Sequence, residues 1–169
     1  MKHVTKVIFI TVVCGVIVLA IGANTFINYT NSTEFCVSCH SMKRNYEEYK
    51  VSVHYKNASG VQASCADCHV PKELGPKFYA KIVAVKDVYH EIVGTINTPE
   101  KFDERKMYLA ERVWEKMQAT DSRECRNCHA FTNMDLARQT ELASKKHERA
   151  MESGKTCIDC HTGVAHEEP

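Results

Sequence analysis

Cys36-Val37-Ser38-Cys39-His40-Ser41-Met42 is the stretch from which the rest of this 169-residue chain is read. Two cysteines separated by two residues and followed at once by histidine form the attachment pattern of c-type haem. The thiols become thioethers to the porphyrin, and the histidine ligates the iron. The pattern returns at Cys65/Cys68/His69, Cys125/Cys128/His129 and Cys157/Cys160/His161, which takes up eight of the nine cysteines. Zinc knuckles also use paired cysteines, but zinc does not require a histidine directly after the second one, and here it follows four times in four. Structural disulfides fit less well, because two intervening residues suit haem or redox chemistry better. The sequence therefore predicts four covalently bound haem c groups.

The first motif begins nine residues beyond Ile27, the last residue of an uncharged apolar run over 7–27. At about 1.5 Å per residue, a helical run of that length crosses a hydrocarbon core of about 30 Å. Lys2 and Lys6 precede it, so the positive-inside tendency puts residues 1–6 in the cytoplasm and everything from Asn28 onward outside, in the compartment where haem c is attached. A cleaved signal peptide competes, but its apolar region is usually about 7–15 residues, and this run is longer. Cys14 lies inside the run without a partner motif and reads as a small apolar residue.

Setting the run aside leaves a domain over 28–169, about 140 residues, modest for burying a core unaided. Haem groups would then act as the core, as staples do in small domains. The formal charge of +1 argues against nucleic acid as a partner. Eight haem propionates would make the loaded protein acidic unless Lys and Arg pair with them.

Cysteine spacing exposes a repeat. The first two motifs start 29 residues apart, the last two 32 apart, and the middle gap is 60. Each close pair encloses one further histidine, His54 eleven residues before Cys65 and His147 ten before Cys157. The pattern indicates duplicated di-haem units at about 34–70 and 121–166. The fold class is mainly α, one transmembrane helix and a small haem-packed multihaem domain with little β-structure. Helices are expected over 43–57 and 71–93, and most clearly from Pro99 to about Gln118, with Thr98 as N-cap. Met107, Ala110, Val113, Trp114 and Met117 recur there at helical spacing and read as a packing stripe. Asp121-Ser122-Arg123-Glu124 resembles a capping box leading into the third motif. Gly60, Gly154 and Gly163 stand near the second and fourth motifs, where turns are needed.

Electron-carrier haems usually have a protein ligand on each face of the iron. His40, His69, His129 and His161 supply one apiece. Of the rest, His3 is on the wrong side of the membrane. His54 and His147 are supported by the repeat as second ligands. His166 can turn over a haem other than that of His161, and His90 is a further candidate. Met42, two residues past His40, offers a thioether that competes with His40 for the first iron; packing against the porphyrin is the plainer alternative.

The anchor, the first motif with its Ser-Met extension, Ser52-Val-His54-Tyr, Ala66-Asp-Cys-His-Val-Pro71, Asp121-Ser-Arg-Glu-Cys-Arg-Asn-Cys-His129 and Thr156-Cys-Ile-Asp-Cys-His-Thr-Gly-Val-Ala-His166 together resemble the NapC/NirT family of membrane-anchored tetrahaem quinol dehydrogenases. The resemblance covers essentially the whole chain, and implies a form without the extra haem domain of pentahaem relatives. It implies a single-pass protein of the bacterial inner membrane that oxidises membrane quinol, menaquinol or ubiquinol, and passes electrons to a periplasmic reductase in anaerobic respiration. A homo-oligomer or a standing complex with the reductase are alternative assemblies. It also implies His54, His147 and His166 as distal ligands, an open or weakly held first haem, Asp87 as an acidic residue beside it and Lys81 lining a quinol pocket. Lys77 and Lys86 compete with Lys81, and His90 would lie near that pocket. On the residues alone, Asp87 and Lys81 read better as a solvated helix pair. Two other functions compete: a reductase of nitrite or hydroxylamine at an open haem, and a haem-rich scaffold for a catalytic partner.

Overall fold

The computed structural model describes residues 2–169, with side chains from His3 onward. It is helical, with no strand among the described residues. The first helix, α1 (Lys2–Tyr29), contains the apolar run, and its 27 residues from His3 to Tyr29 are long and apolar enough to cross a membrane. None of that stretch is buried against the rest of the protein. Val and Ile dominate it, and no acidic or basic residue falls between Val7 and Tyr29.

Beyond α1 the helices are short and are set by the motifs. The helix α2 (Thr33–Cys36), capped by the Ser32 hydroxyl accepting from Phe35 N–H, delivers Cys36, and α3 (His40–Lys50) starts on the first motif's histidine. The second motif is itself a helix, α4 (Cys65–His69). Then come α5 (Leu74–Ile92), α6 (Pro99–Asp103), α7 (Lys106–Ala119) and α8 (Arg123–Arg126), the last carrying Cys125. After two single 3-10 turns, α9 (Glu141–Ser153) carries His147 and ends at Gly154, whose φ of 66° suits the left-handed cap that glycine adopts without strain. The fourth motif opens on a 3-10 turn, Cys157–Asp159.

Three expectations about local structure need correction. The helix expected from Pro99 to Gln118 starts as anticipated, with the Thr98 hydroxyl accepting from Lys101 N–H, but breaks at Glu104–Arg105. The break lets Phe102 enter the core, brings Asp103 onto Arg44, and frees Lys106 to meet Glu48 at 2.9 Å. The helices expected over 43–57 and 71–93 occupy 40–50 and 74–92. No capping box forms at Asp121–Glu124. Asp121 and Ser122 are both left-handed (φ 53° and 48°), and Glu124 accepts from Arg123 at 2.7 Å instead. The fully buried Ser122 hydroxyl accepts from Ile158 N–H at 3.1 Å, which joins the third motif to the fourth.

Capping boxes form elsewhere. The Ser64 hydroxyl accepts from Asp67 N–H while the Asp67 carboxylate accepts from Ser64 N–H, and Thr156 and Asp159 do the same. In both cases the aspartate stands just before the second cysteine of its motif, so the closing motif of each repeat is written [Ser/Thr]-Cys-x-Asp-Cys-His. The apolar core is thin: Tyr49, Ile96, Phe102 and Ile158 are the buried apolar side chains among the described residues. Four such residues are far from what a domain of this length ordinarily buries.

Candidate functional site

The four motifs are neighbours in chain order. Cys36 and Cys65 share a hydrogen bond, which pushes the Cys36 thiol up and draws Cys65 down to about 6. Cys68 is raised to about 11, first by burial and then by the nearby Cys125, and Cys125 in turn senses Cys157. Helix α4 packs on α8, and α7 packs on the turn that opens the fourth motif.

The protein shelters the eight motif cysteines unequally. Cys128 and Cys160 are exposed, whereas Cys36, Cys39, Cys65, Cys68, Cys125 and Cys157 are half-buried. Position explains the difference. Cys128 lies two residues past the end of α8, and Cys160 directly follows the turn Cys157–Asp159, so each stands where the chain is leaving its helix. The protein shelters the first cysteine of the third and fourth motifs and leaves the second one open. At all eight the thioether assignment rests on the motif spacing.

Three of the four motif histidines face a second histidine. Ring centroids are 6.2 Å apart for His69 and His166, 6.1 Å for His129 and His54, and 6.0 Å for His161 and His147. A metal–imidazole bond is about 2 Å and a ring centroid lies about 1 Å behind its nitrogen, so two imidazoles on opposite sides of one metal ion have centroids about 6 Å apart. Each non-motif ring is also oriented from behind. Its Nδ1 lies against an oxygen: Asn45 O for His166 (3.1 Å), Val164 O for His54 (3.3 Å) and Gln139 Oε1 for His147 (2.6 Å). Such a contact fixes the tautomer with Nδ1 protonated and leaves Nε2 free to ligate. Crowding by the surrounding residues pushes His69 down to about 4, with His166 adding to the effect, although the residue keeps an exposed surface. Burial also lowers His166. Both shifts favour the neutral ring, which is the ligating form. The donor set and its support fit a haem at each pair.

The supports are built locally. The buried Tyr49 on α3 donates its hydroxyl to Ala63 O and lies 3.3 Å from His54 O, and Ala63 N–H donates to His54 O at 3.0 Å, which closes the loop carrying His54. Asn57 pins the same loop through Nδ2 to Val53 O (2.9 Å) and Val61 O (2.7 Å). His166 is held by Glu48, whose carboxylate accepts from Glu167 N–H at 3.1 Å and from Lys106 at 2.9 Å. Two of the three pairs cross between the repeats: His54 meets the third motif and His166 the second, while His147 stays with the fourth.

The first motif is different. Among the described residues no imidazole faces His40. In the third and fourth motifs the histidine N–H bonds back to the first cysteine, His129 N to Cys125 O at 2.8 Å and His161 N to Cys157 O at 3.0 Å. His40 N–H instead donates to Glu91 Oε1, 2.9 Å away on α5. The other oxygen, Glu91 Oε2, is buried with no hydrogen-bond partner. Lys81, ten residues earlier on α5, donates to Thr30 O at 2.7 Å, one residue past the end of α1. Burial lowers its ammonium; its charge acts in turn on Cys36. Met42 is half-buried in the first turn of α3.

Asp87 lies 3.6 Å from the Arg112 guanidinium on α7, and its side chain is 54% exposed. His90 contacts the Tyr89 ring and Thr95 Oγ1 (3.3 Å). Lys77 is half-buried and Lys86 exposed. Glu91 was not singled out by the sequence. Its one signal there is position, a second carboxylate one helical turn after Asp87.

The sequence profile of the NapC/NirT cytochrome c family, N-terminal region, matches residues 1–169. A tetraheme cytochrome-c type protein of Allochromatium vinosum is 60% identical over 155 residues, 92% of this chain and 84% of that one. The cytochrome c-type protein NapC of Escherichia coli K12 is 48% identical over 156 residues, 92% of this chain and 78% of its own. Among solved structures, the crystal structure of the cytochrome c nitrite reductase NrfHA complex bound to the HQNO inhibitor contains a chain that aligns with a TM-score of 0.55 at 29% identity, over 96% of this chain and 93% of that one.

Proposed function

Because the chain belongs to the NapC/NirT cytochrome c family, a family of c-type cytochromes in electron transport, we propose that it oxidises membrane quinol and delivers the electrons to a periplasmic reductase. One observation carries the reading. Glu91 ties the first motif to α5 and Lys81 ties α5 to Thr30 at the end of the membrane-length helix, and among the described residues this motif alone leaves its histidine without an imidazole opposite. Four haem c groups, held by the eight motif cysteines with Cys128 and Cys160 among them, supply one-electron carriers between quinol and reductase. The pairs His69/His166, His129/His54 and His161/His147 ligate three of them, and His40 or Met42 serves the first.

Quinol gives up two protons with its two electrons, so proton acceptors must stand where it is oxidised. Glu91, with one oxygen on His40 N–H and the other unpartnered, is the acceptor at the motif. Asp87, one turn earlier and half exposed beside Arg112, passes protons toward solvent. The Lys81 ammonium orients a quinol oxygen at the end of α1. Lys2 and Lys6 keep the N-terminus in the cytoplasm, which sets the haem domain in the periplasm of a bacterial inner membrane. The NrfHA complex of the solved relative supports a reductase as the partner on the far side.

The test uses the full-length protein with its haems in detergent. A menaquinol analogue should reduce it rapidly, with no consumption of nitrite when nitrite is offered alone. Asp87→Asn and Glu91→Gln should each slow that reduction while dithionite still reduces all the haem. A protein that stays oxidised with quinol yet consumes nitrite overturns the reading.

A further inference from the structure

Helix α5 has two faces of opposite character. One looks inward, where Lys81 reaches Thr30 O, Asp87 meets Arg112 and Glu91 takes the His40 N–H. On the other face Leu74, Phe78, Ile82, Val85, Tyr89 and Ile92 recur at intervals of three and four, which gathers them into one stripe along the helix. Each of these six exposes between 50% and 78% of its surface. An exposed apolar stripe of this length marks a surface that meets something.

Two observations identify what covers it. Lys81 Nζ donates to the carbonyl of Thr30, the residue directly after Tyr29, so the middle of α5 is tied to the point where the apolar helix ends. The helix that bears the stripe thereby sits at the end of α1. Its borders are also basic. On a helical wheel Lys77 and Lys81 flank it on one side, and Lys86 and His90 on the other, with Tyr79 beside them. Lysines along the edges of an apolar stripe lay their stems on acyl chains and lift their ammonium groups to lipid phosphates, and tyrosine favours the same depth. A protein partner would be met by a contact surface depleted of lysine.

We propose that α5 lies in the plane of the bilayer as an interfacial helix, its apolar stripe among the acyl chains beside α1 and the border lysines Lys77 and Lys86 on the phosphates of the leaflet from which α1 emerges, while Lys81 stays on Thr30 O. The inference rests on α1 crossing the membrane. It gives the first motif a fixed depth, since Glu91 and Lys81 hold that motif and the chain leaving α1 on the opposite face of the same helix.

The full-length holoprotein, reconstituted in vesicles that contain a phospholipid with a photoactivatable acyl chain, tests this by mapping lipid adducts with mass spectrometry. Adducts are expected on α1 and, separately, on Phe78, Ile82, Val85 and Tyr89. An Ile82→Glu, Val85→Glu double variant should lose α5 adducts about tenfold while those on α1 persist. Adducts on α1 with none on α5 in the unaltered protein overturn the proposal. Crosslinks from the stripe to a second copy of the chain in place of lipid overturn it too. Absence of adducts from α1 itself overturns the membrane anchor beneath it, a failure distinct from that of α5. The unaltered protein decides the matter alone, so a variant that fails to load haem leaves the test intact.

Discussion

At the fourth motif the histidine N–H closes on its own cysteine, and the ring faces His147 across 6.0 Å. At the first motif the same N–H leaves the motif for a carboxylate 51 residues away, and no ring stands opposite among the described residues. One five-residue pattern is thus held in two ways. The fourth is self-closed and capped by Thr156 and Asp159; the first is opened toward α5 and the end of α1. A carrier site needs two fixed ligands and little movement, whereas a site that exchanges electrons with a small molecule needs an accessible face and a group for protons. Under the proposed function, the difference between the motifs corresponds to the difference between those tasks.

Removing the facing histidines breaks the comparison most directly. His54→Ala, His147→Ala and His166→Ala should each convert one haem from low spin to high spin, read by electron paramagnetic resonance of the oxidised protein. His90→Ala, at a residue that faces no motif histidine, should leave the spin distribution unchanged. If all three single variants leave the spectrum untouched, the ring pairs are not ligand pairs.

A smaller effect is expected at Glu48, which holds the His166 tail and leaves the first motif alone. Burial raises its carboxyl, but Lys106, Glu167 N–H and Arg44 together outweigh that and hold it below its ordinary value. A carboxyl lower in the folded than in the unfolded protein stabilises above about pH 4.5, and that contribution disappears as pH falls through the folded value. Glu48→Gln should therefore cost about 1–3 kcal/mol at pH 7 in denaturant unfolding, and progressively less as pH falls below 4.5 and through the lowered folded value. The capping boxes rank next. Ser64→Ala should cost about 1 kcal/mol, acting on the second motif only, with Asp67→Ala similar. Equal loss at the first motif, seen as a shift in its haem spectrum, would show that the two kinds of motif are not held independently.

Much of this was legible beforehand because covalent chemistry writes itself as strict local spacing. Cys36, Cys65, Cys125 and Cys157 each head a motif that admits few other readings, and the apolar run before them is equally plain. The spacing says nothing of shelter, however, and Cys128 and Cys160 stand open where their partners in the same motifs do not. His54 and His147 were found as places in a repeat, but the repeat hides that His54 faces the third motif and His147 its own fourth, because crossing is a property of the folded chain. Ser122 shows the opposite failure. Its neighbourhood has the letters of a capping box, yet the backbone turns left-handed so that its hydroxyl can take Ile158 N–H. The boxes that do form, at Ser64/Asp67 and Thr156/Asp159, lay inside the motifs and were masked by the cysteines. Glu91 was illegible for a related reason. Nothing local distinguishes it from the other charges of α5 until the first motif folds against it.

Glu91 offers the finest test of the comparison. His40 is exposed, so its N–H can turn to water when the carboxylate is lost, and the global cost of Glu91→Ala should stay below about 1 kcal/mol. The local consequence should be larger, because that bond is what ties the first motif to α5. Glu91→Gln keeps an oxygen for His40 N–H while removing the charge and the proton-accepting role. The glutamine variant should therefore retain the first haem's spectrum yet slow quinol oxidation, whereas the alanine variant should disturb both. Rates measured with a quinol analogue, beside spectra of the oxidised protein, separate the two roles of this carboxylate. If glutamine restores the rate as well as the spectrum, Glu91 only positions the motif and protons leave by another group, with Asp87 the nearest carboxylate along the helix.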